Sequence, residues 1–226
     1  MKKYSIILFD ADGTLFDFSQ CEREAFREAL SLSGASATEE MINDYKEIND
    51  SLWKALERKE IEREVLVFRR FEIFAEKYNI DLDSKKMAND YVACLGKKTY
   101  LIDGAEELLQ TLYGKVRMYI VTNGIERVQS SRFEISGLSK YFDGIFISEA
   151  IGVNKPDVKF FERVAERIDG YEKDKSIIIG DSLSSDIAGG MAFGIDTCWY
   201  SPKGKTALCA PTYTVTDLGD IPAILL

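Results

Sequence analysis

The chain has 226 residues, 46% of them hydrophobic, enough for one full core and a smaller second one. Its 29 basic and 38 acidic residues leave a net charge of -9, which disfavours partners that need a broad basic face, such as nucleic-acid polymers and anionic membranes. A small anionic substrate fits that charge, because one lysine, backbone N–H groups and a divalent cation receive it locally.

Met1-Lys2-Lys3 leads into a short apolar run, Ile6 to Phe9, that is too short for a signal-peptide core, and no run in the chain approaches a membrane span. A soluble, cytoplasmic protein is expected. Residues 4–9 read as a buried strand, followed by Phe9-Asp10-Ala11-Asp12-Gly13-Thr14-Leu15, with carboxylates two residues apart. Buried and unpaired, such a pair costs several kcal/mol. It is therefore expected where the strand leaves its sheet and meets a cation or a substrate.

From residue 19 to about 95 the chain has no strand pattern. Ser19 and Glu22 have capping-box spacing ahead of Cys21, Ala25, Phe26, Ala29 and Leu30. Met41, Tyr45, Ile48, Leu52 and Leu56 recur at helical spacing, as do Ile61, Val65, Phe68, Ala75 and Tyr78, and then Met87, Tyr91 and Leu95. The block predicts a four-helix cap over residues 17–99, inserted into a core made of residues 1–16 and 100–226. Phe16, Phe18, Asn49 and Trp53 are candidates for side chains turned towards the site, with core packing the more common role for each of the aromatics.

Asp103 and Glu106 repeat the capping-box spacing before Leu108, Leu109 and Leu112, with Gly114 as the stop. Strands are predicted at Arg117–Val121, Gly144–Ser148, Ser176–Gly180 and Thr197–Tyr200, and Pro156 opens a helix with Phe160, Phe161, Val164 and Ile168 on one face. Alternating strands and helices predict an α/β fold with a doubly wound, Rossmann-like parallel sheet. Ligands bind such sheets beyond the carboxyl ends of the strands, where Asp10, Thr122 and Asp181 fall.

Taken singly, each of these residues has an ordinary explanation. Asp10 and Asp12 fit a solvated loop, Thr122-Asn123-Gly124 a helix entry, and Lys155 an exposed lysine; Asp181 and Asp186 fit a strand end and a helix cap. Taken together, the strand ends supply an acid pair, a hydroxyl, a lysine and a second acid pair, which makes a cation site beside an anion site. The oxygen ligands of Asp10 and Asp181 suit Mg²⁺, and Thr122 and Lys155 suit phosphoryl oxygens. The sequence has no histidine, so acid–base work falls to carboxylate, lysine or metal-bound water. Cys21, Cys94, Cys198 and Cys209 are scattered and read as reduced thiols.

The four segments resemble motifs one to four of the haloacid dehalogenase-like hydrolase superfamily, in the same order, and the insertion resembles its C1-type helical cap. Within the superfamily, the stretch from Tyr141-Phe142-Asp143-Gly144 through Ser148-Glu149 to Lys155-Pro156 resembles the bacterial pyrimidine 5'-nucleotidase branch, as do Val121-Thr122-Asn123-Gly124 and Cys198-Trp199-Tyr200. Gly13 departs from that branch, whose near members often carry an acidic residue there. The resemblance implies a Mg²⁺-dependent phosphatase that hydrolyses a small phosphorylated metabolite, foremost a pyrimidine nucleoside 5'-monophosphate, through an aspartyl-phosphate. It implies Asp10 as nucleophile and Asp12 as acid and base. Mg²⁺ would be held by Asp10, the Asp12 carbonyl and Asp181, with Asp186 behind them, and the phosphoryl oxygens by Thr122, the Asn123 backbone and Lys155.

Other phosphatases of phosphoglycolate or sugar phosphates, and a phosphosugar mutase, would use the same residues. A 2-haloacid dehalogenase releases halide without a proton or Mg²⁺, which would leave Asp12, Asp181 and Asp186 idle. A non-enzymatic signalling receiver has its acceptor aspartate after a middle strand and no acid two residues later. No motif specifies an oligomeric state.

Overall fold

Every residue of Ile6–Phe9 (β1) is apolar and buried, as a central strand of a helix-covered parallel sheet requires. In the computed structural model of the chain, which describes residues 3–204, 206 and 209–226, β1 is one of the two central strands of an α/β, doubly wound sheet. Met1 and Lys2 of the sequence reading lie outside the described residues. Among these residues the sheet has six strands, in the order β3-β2-β1-β4-β5-β6, and all neighbours are parallel. The strands are β1, Arg117–Thr122 (β2), Gly144–Ile147 (β3), Ser176–Gly180 (β4), Asp196–Tyr200 (β5) and Tyr213–Val215 (β6). The edge strand β6 lies outside the predicted set, because three residues are too few to display a period of two.

Alternation along β1 supplies both faces of the core. Ile7 and Phe9 pack with Leu108, Leu109 and Leu112 of helix Ala105–Leu112, and Ile6 and Leu8 with Phe160, Phe161 and Val164 of helix Val158–Ala165. Phe9 pairs in register with Ile120 on β2 and Ile179 on β4, so the three strands end within two residues of one another. The strand order reverses across β1, and the crevice outlined there is where a parallel sheet binds ligands.

Between β1 and the rest of the sheet the chain forms Phe18–Leu32 (α1), Glu39–Glu57 (α2), Arg63–Tyr78 (α3) and Ser84–Leu95 (α4). Their apolar faces share a separate core around Phe26, Tyr45, Phe71, Phe74 and Tyr91, with Phe26 stacked on Tyr45 at 4.0 Å between ring centres. The remaining helices are Ala105–Leu112 (α5), Glu126–Ser136 (α6), Ser148–Ile151 (α7), Val158–Ala165 (α8), Ala188–Phe193 (α9) and Ile221–Leu225 (α10). Among the described residues no helix is long and apolar enough to cross a membrane.

Three helix starts differ from the sequence reading. Asp17, not Ser19, caps α1 and accepts from the Gln20 N–H, which leaves Glu22 inside the helix and buried. α5 begins after Gly104, which has φ of 81°, with no side-chain cap from Asp103. α8 begins at Val158 because Asp157 accepts from the Lys159 N–H, so Pro156 stays in the preceding loop and Ile168 lies past the helix end.

Candidate active site

Asp10 is the first residue beyond β1, and its N–H still donates to the Ile179 carbonyl, which fixes the carboxyl at the crevice. There Lys155 donates from Nζ to Asp10 Oδ1 at 2.7 Å, to Asp186 Oδ1 at 2.6 Å and to the Val121 carbonyl at 2.6 Å. These bonds use all three donors of a buried ammonium. Lys155 is itself held by Asn123, whose side-chain oxygen accepts from the Lys155 N–H and whose amide donates to the Lys155 carbonyl, each at 2.9 Å. The contribution of Asn123 that the sequence reading did not anticipate is thus its side chain on the lysine backbone.

Asp186 sits on a π-helical turn, Leu183–Ile187, that bends its carboxylate back to Lys155 and to the Ser182 N–H at 3.1 Å. Asp181 follows β4 directly. Asp10, Asp181 and Asp186 each bring a carboxylate oxygen within 4.8 Å of the others. Close approach needs glycines beside them. A Cβ at Gly180 would stand 2.3 Å from Asp186 Oδ2, and one at Gly13, where φ is +87°, would stand 2.5 Å from Asp181 Oδ2. A side chain at Gly13 is therefore strained and displaces Asp181, which accounts for glycine at this position.

Three carboxylates face one ammonium, and their protonation equilibria register the imbalance. Burial, and then the charge of Asp186, push the Asp10 carboxyl well above the ordinary range. Asp181 is open to the cavity on one side and enclosed elsewhere; that enclosure and Asp186 push its carboxyl up to about 7. The Lys155 amine is raised above its ordinary value: burial opposes its charge, and the pull of Asp10 and Asp186 outweighs it. An all-oxygen donor set with excess negative charge fits a divalent cation such as Mg²⁺.

The Asp12 carboxylate points away from this cluster. Arg132 pairs with its Oδ1, and Gln129 donates to its Oδ2 at 2.5 Å, both from α6. The Thr122 hydroxyl, at the end of β2, accepts from the Gly124 N–H at 3.0 Å. It remains on the wall of a cavity of about 550 Å³ that also contains Asp10, Asp12 and Asp181. The helical insertion closes the other side of this cavity with Phe18, Trp53, Arg70 and Tyr91. Phe16, by contrast, packs in the core beneath Arg132, and Asn49 is buried within the insertion.

Arg63 of α3 fastens the insertion to the site. Its guanidinium donates to the Asn123 carbonyl at 3.1 Å, the Ser148 hydroxyl at 2.7 Å and Asn154 Oδ1 at 2.6 Å. Ser184 donates to Glu57 at 2.8 Å, and Lys59 pairs with Asp157 at 2.8 Å. The sequence reading does not single out Arg63, Gln129 or Arg132; each is a polar residue on a helix, and nothing near it in the chain marks it as buried or bridging.

The haloacid dehalogenase-like hydrolase model matches residues 4–194. The chain is 37% identical to the putative HAD-hydrolase YfnB of Bacillus subtilis over 100% of this chain and 97% of that one. The crystal structure of YfnB bound to magnesium, described as revealing interdomain movement, matches with a TM-score of 0.94 over 99% of both chains. The pyrimidine 5'-nucleotidase PynA of Streptococcus pneumoniae is 37% identical, over 96% of this chain and 93% of PynA. The pyrimidine 5'-nucleotidase YjjG of Escherichia coli is 32% identical, over 99% and 98%. With its sheet, its strand-end acids and these matches together, the chain belongs to the haloacid dehalogenase-like hydrolase family and is a hydrolase.

Proposed function

We propose that this protein is a cytoplasmic, Mg²⁺-dependent phosphatase that hydrolyses a pyrimidine nucleoside 5'-monophosphate through an aspartyl-phosphate on Asp10. The observation that carries the reading is the cluster of Asp10, Asp181 and Asp186 within 4.8 Å, with Lys155 paired to two of the three carboxylates, on the wall of a cavity the insertion covers. The names of PynA and YjjG support the nucleotide, and the magnesium in the YfnB structure supports the metal.

Asp10, Asp181 and the Asp12 carbonyl would hold Mg²⁺, with Asp186 behind them orienting Lys155. When bound, the ion supplies positive charge between the Asp10 carboxylate and the phosphate dianion, which otherwise repel. Lys155 fixes the Asp10 carboxyl by its 2.7 Å bond. An Asp10 oxygen attacks phosphorus in line, the P–O bond to the nucleoside breaks, and Asp12, released from Arg132 and carrying a proton taken from solvent, gives that proton to the leaving 5'-oxygen. Asp12 then takes a proton from a water that attacks the same phosphorus, the P–O bond to Asp10 breaks, and phosphate leaves. The Thr122 hydroxyl, the Asn123 backbone and the charge of Lys155 receive the phosphoryl oxygens. Residues 17–99 act as the cap, excluding water from the covered site and macromolecules from the cavity.

The test compares kcat/KM for UMP, dUMP and dTMP with AMP, phosphoglycolate and hexose phosphates at fixed Mg²⁺. Pyrimidine nucleotides are expected to lead. A preference of about tenfold or more, some 1.4 kcal/mol, for a sugar phosphate or phosphoglycolate overturns the nucleotide assignment. Isomerisation of a sugar phosphate in place of phosphate release would make the protein a mutase.

A further inference from the structure

The insertion encloses a line of polar side chains that the phosphoryl chemistry does not use. Glu22 on α1, Asn49 on α2 and Arg70 on α3 are at most 2% exposed. Asn49 donates to Glu22 Oε1 at 2.6 Å, and Arg70 Nη1 donates to Asn49 Oδ1 at 3.0 Å. Arg70 Nε donates to the Val67 carbonyl at 3.3 Å. The guanidinium is also clamped between rings, 4.9 Å from the centre of Phe71 and 4.6 Å from that of Tyr91. It is thus held in place before any ligand arrives.

Both ends of this line carry an unsatisfied atom, Glu22 Oε2 at one and Arg70 Nη2 at the other. At the cavity end Arg70 Nη2 is buried without an acceptor, and the Tyr91 hydroxyl has the equally buried Tyr45 hydroxyl as its neighbour. Arg70 and Tyr91 both belong to the wall of the cavity that contains Asp10 and Asp181. An unmet buried donor costs about 1–3 kcal/mol, and more when charged, so a ligand that supplies the acceptor recovers that energy. Such sites discriminate by it, since a substrate that lacks the acceptor leaves the penalty in force.

We propose that Arg70, with Tyr91 beside it, reads the leaving group by donating from Nη2 to an exocyclic carbonyl oxygen of the nucleobase. The inference rests on the nucleotidase reading above and names the residue that would give it selectivity. A guanidinium donates only, so the site rewards a carbonyl oxygen, which uracil, thymine and cytosine carry and adenine lacks. The charge around it argues for a neutral acceptor over a second phosphate or a carboxylate. Glu22 stands behind Arg70, and Lys46 on the cavity wall is already paired with Asp50 at 3.0 Å. Phe18 and Trp53 add flat apolar wall, suited to a planar ring.

The experiment measures kcat/KM for UMP and for p-nitrophenyl phosphate with the parent, Arg70→Met and Tyr91→Phe at one Mg²⁺ concentration, with uridine as an inhibitor of the aryl substrate. The ratio of UMP to aryl phosphate is expected to fall about tenfold or more in Arg70→Met and about threefold in Tyr91→Phe, and the Ki of uridine to rise in parallel. An unchanged ratio in both variants, or equal losses on both substrates with uridine inhibition intact, overturns the proposal. If Arg70→Met has no cooperative melting transition, Tyr91→Phe, which keeps the ring, decides by the same two readouts. A parent that prefers sugar phosphates to UMP overturns the nucleotidase reading itself. A parent that prefers UMP, with variants whose ratio stays put, removes only the role of Arg70.

Discussion

Arg132 and Asp12, 120 residues apart in the chain, form an ion pair in which Asp12 lines the cavity and Arg132 is buried behind it. Arg132 is fully buried, stacks 4.0 Å from the centre of Phe16 and donates from Nε to the Lys98 carbonyl at 2.9 Å. It therefore ties the proposed acid to both chain segments that connect insertion and core. The proposed proton transfer needs Asp12 released from this pair towards the leaving oxygen, so Arg132 positions the acid without touching substrate. Arg132→Met is expected to reduce kcat on UMP about tenfold or more and that on p-nitrophenyl phosphate far less, because the aryl oxygen leaves with little protonation. Equal losses on the two substrates would make Arg132 a purely structural residue.

Asp10→Asn should abolish turnover, with a loss on the order of a thousandfold or more, since the amide cannot form the covalent intermediate. Its melting temperature without metal should match or exceed that of the parent, because the change removes one of three crowded carboxylates whose charge burial already opposes. Retention of a tenth of the activity would assign the nucleophile elsewhere.

Excess chelator should eliminate activity, and Mg²⁺ should restore it. Mg²⁺ should also raise the melting temperature of the chelated protein, because a ligand that binds only the folded state stabilises it. Asp181→Asn should increase the Mg²⁺ needed for half-maximal activity more than Asp186→Asn does, since Asp186 is committed to Lys155 and the Ser182 N–H. Full turnover in chelator would remove the metal from the mechanism.

Burial pushes the Glu22 carboxyl up to about 7, with Lys46 pulling it down and Asp50 pushing it up. The folded state thus holds a proton that the unfolded chain, with an ordinary Glu value of about 4.3, releases as pH rises. Stability from this group is present below about pH 4 and declines as pH climbs to about 7. Glu22→Gln keeps the acceptor for Asn49 and removes the titration. Its melting temperature relative to the parent should rise steadily between pH 5 and 8, by an amount equivalent to about 1–3 kcal/mol. Melting curves across that range check the sign, and a constant difference would contradict it.

The sheet and its acids were legible in the amino-acid order because both depend on local pattern. A short run such as Ile6–Phe9, apolar throughout, reads as a buried strand, and a carboxylate directly after it falls at the ligand edge of a parallel sheet. The same logic led to Thr122 and Asp181, and helical spacing alone marked the insertion. Helix starts were less legible: Asp17 and Ser19 are both competent caps, and only the path of the entering chain selects Asp17. Tertiary structure alone decided the partners. Arg63, Arg70 and Arg132 read in sequence as ordinary polar positions on helices, because burial of a charge depends on acceptors tens of residues distant. Lys155 shows the reason most directly, since its three acceptors come from the ends of β1 and β2 and from the turn before α9, brought to one point only when the sheet is assembled.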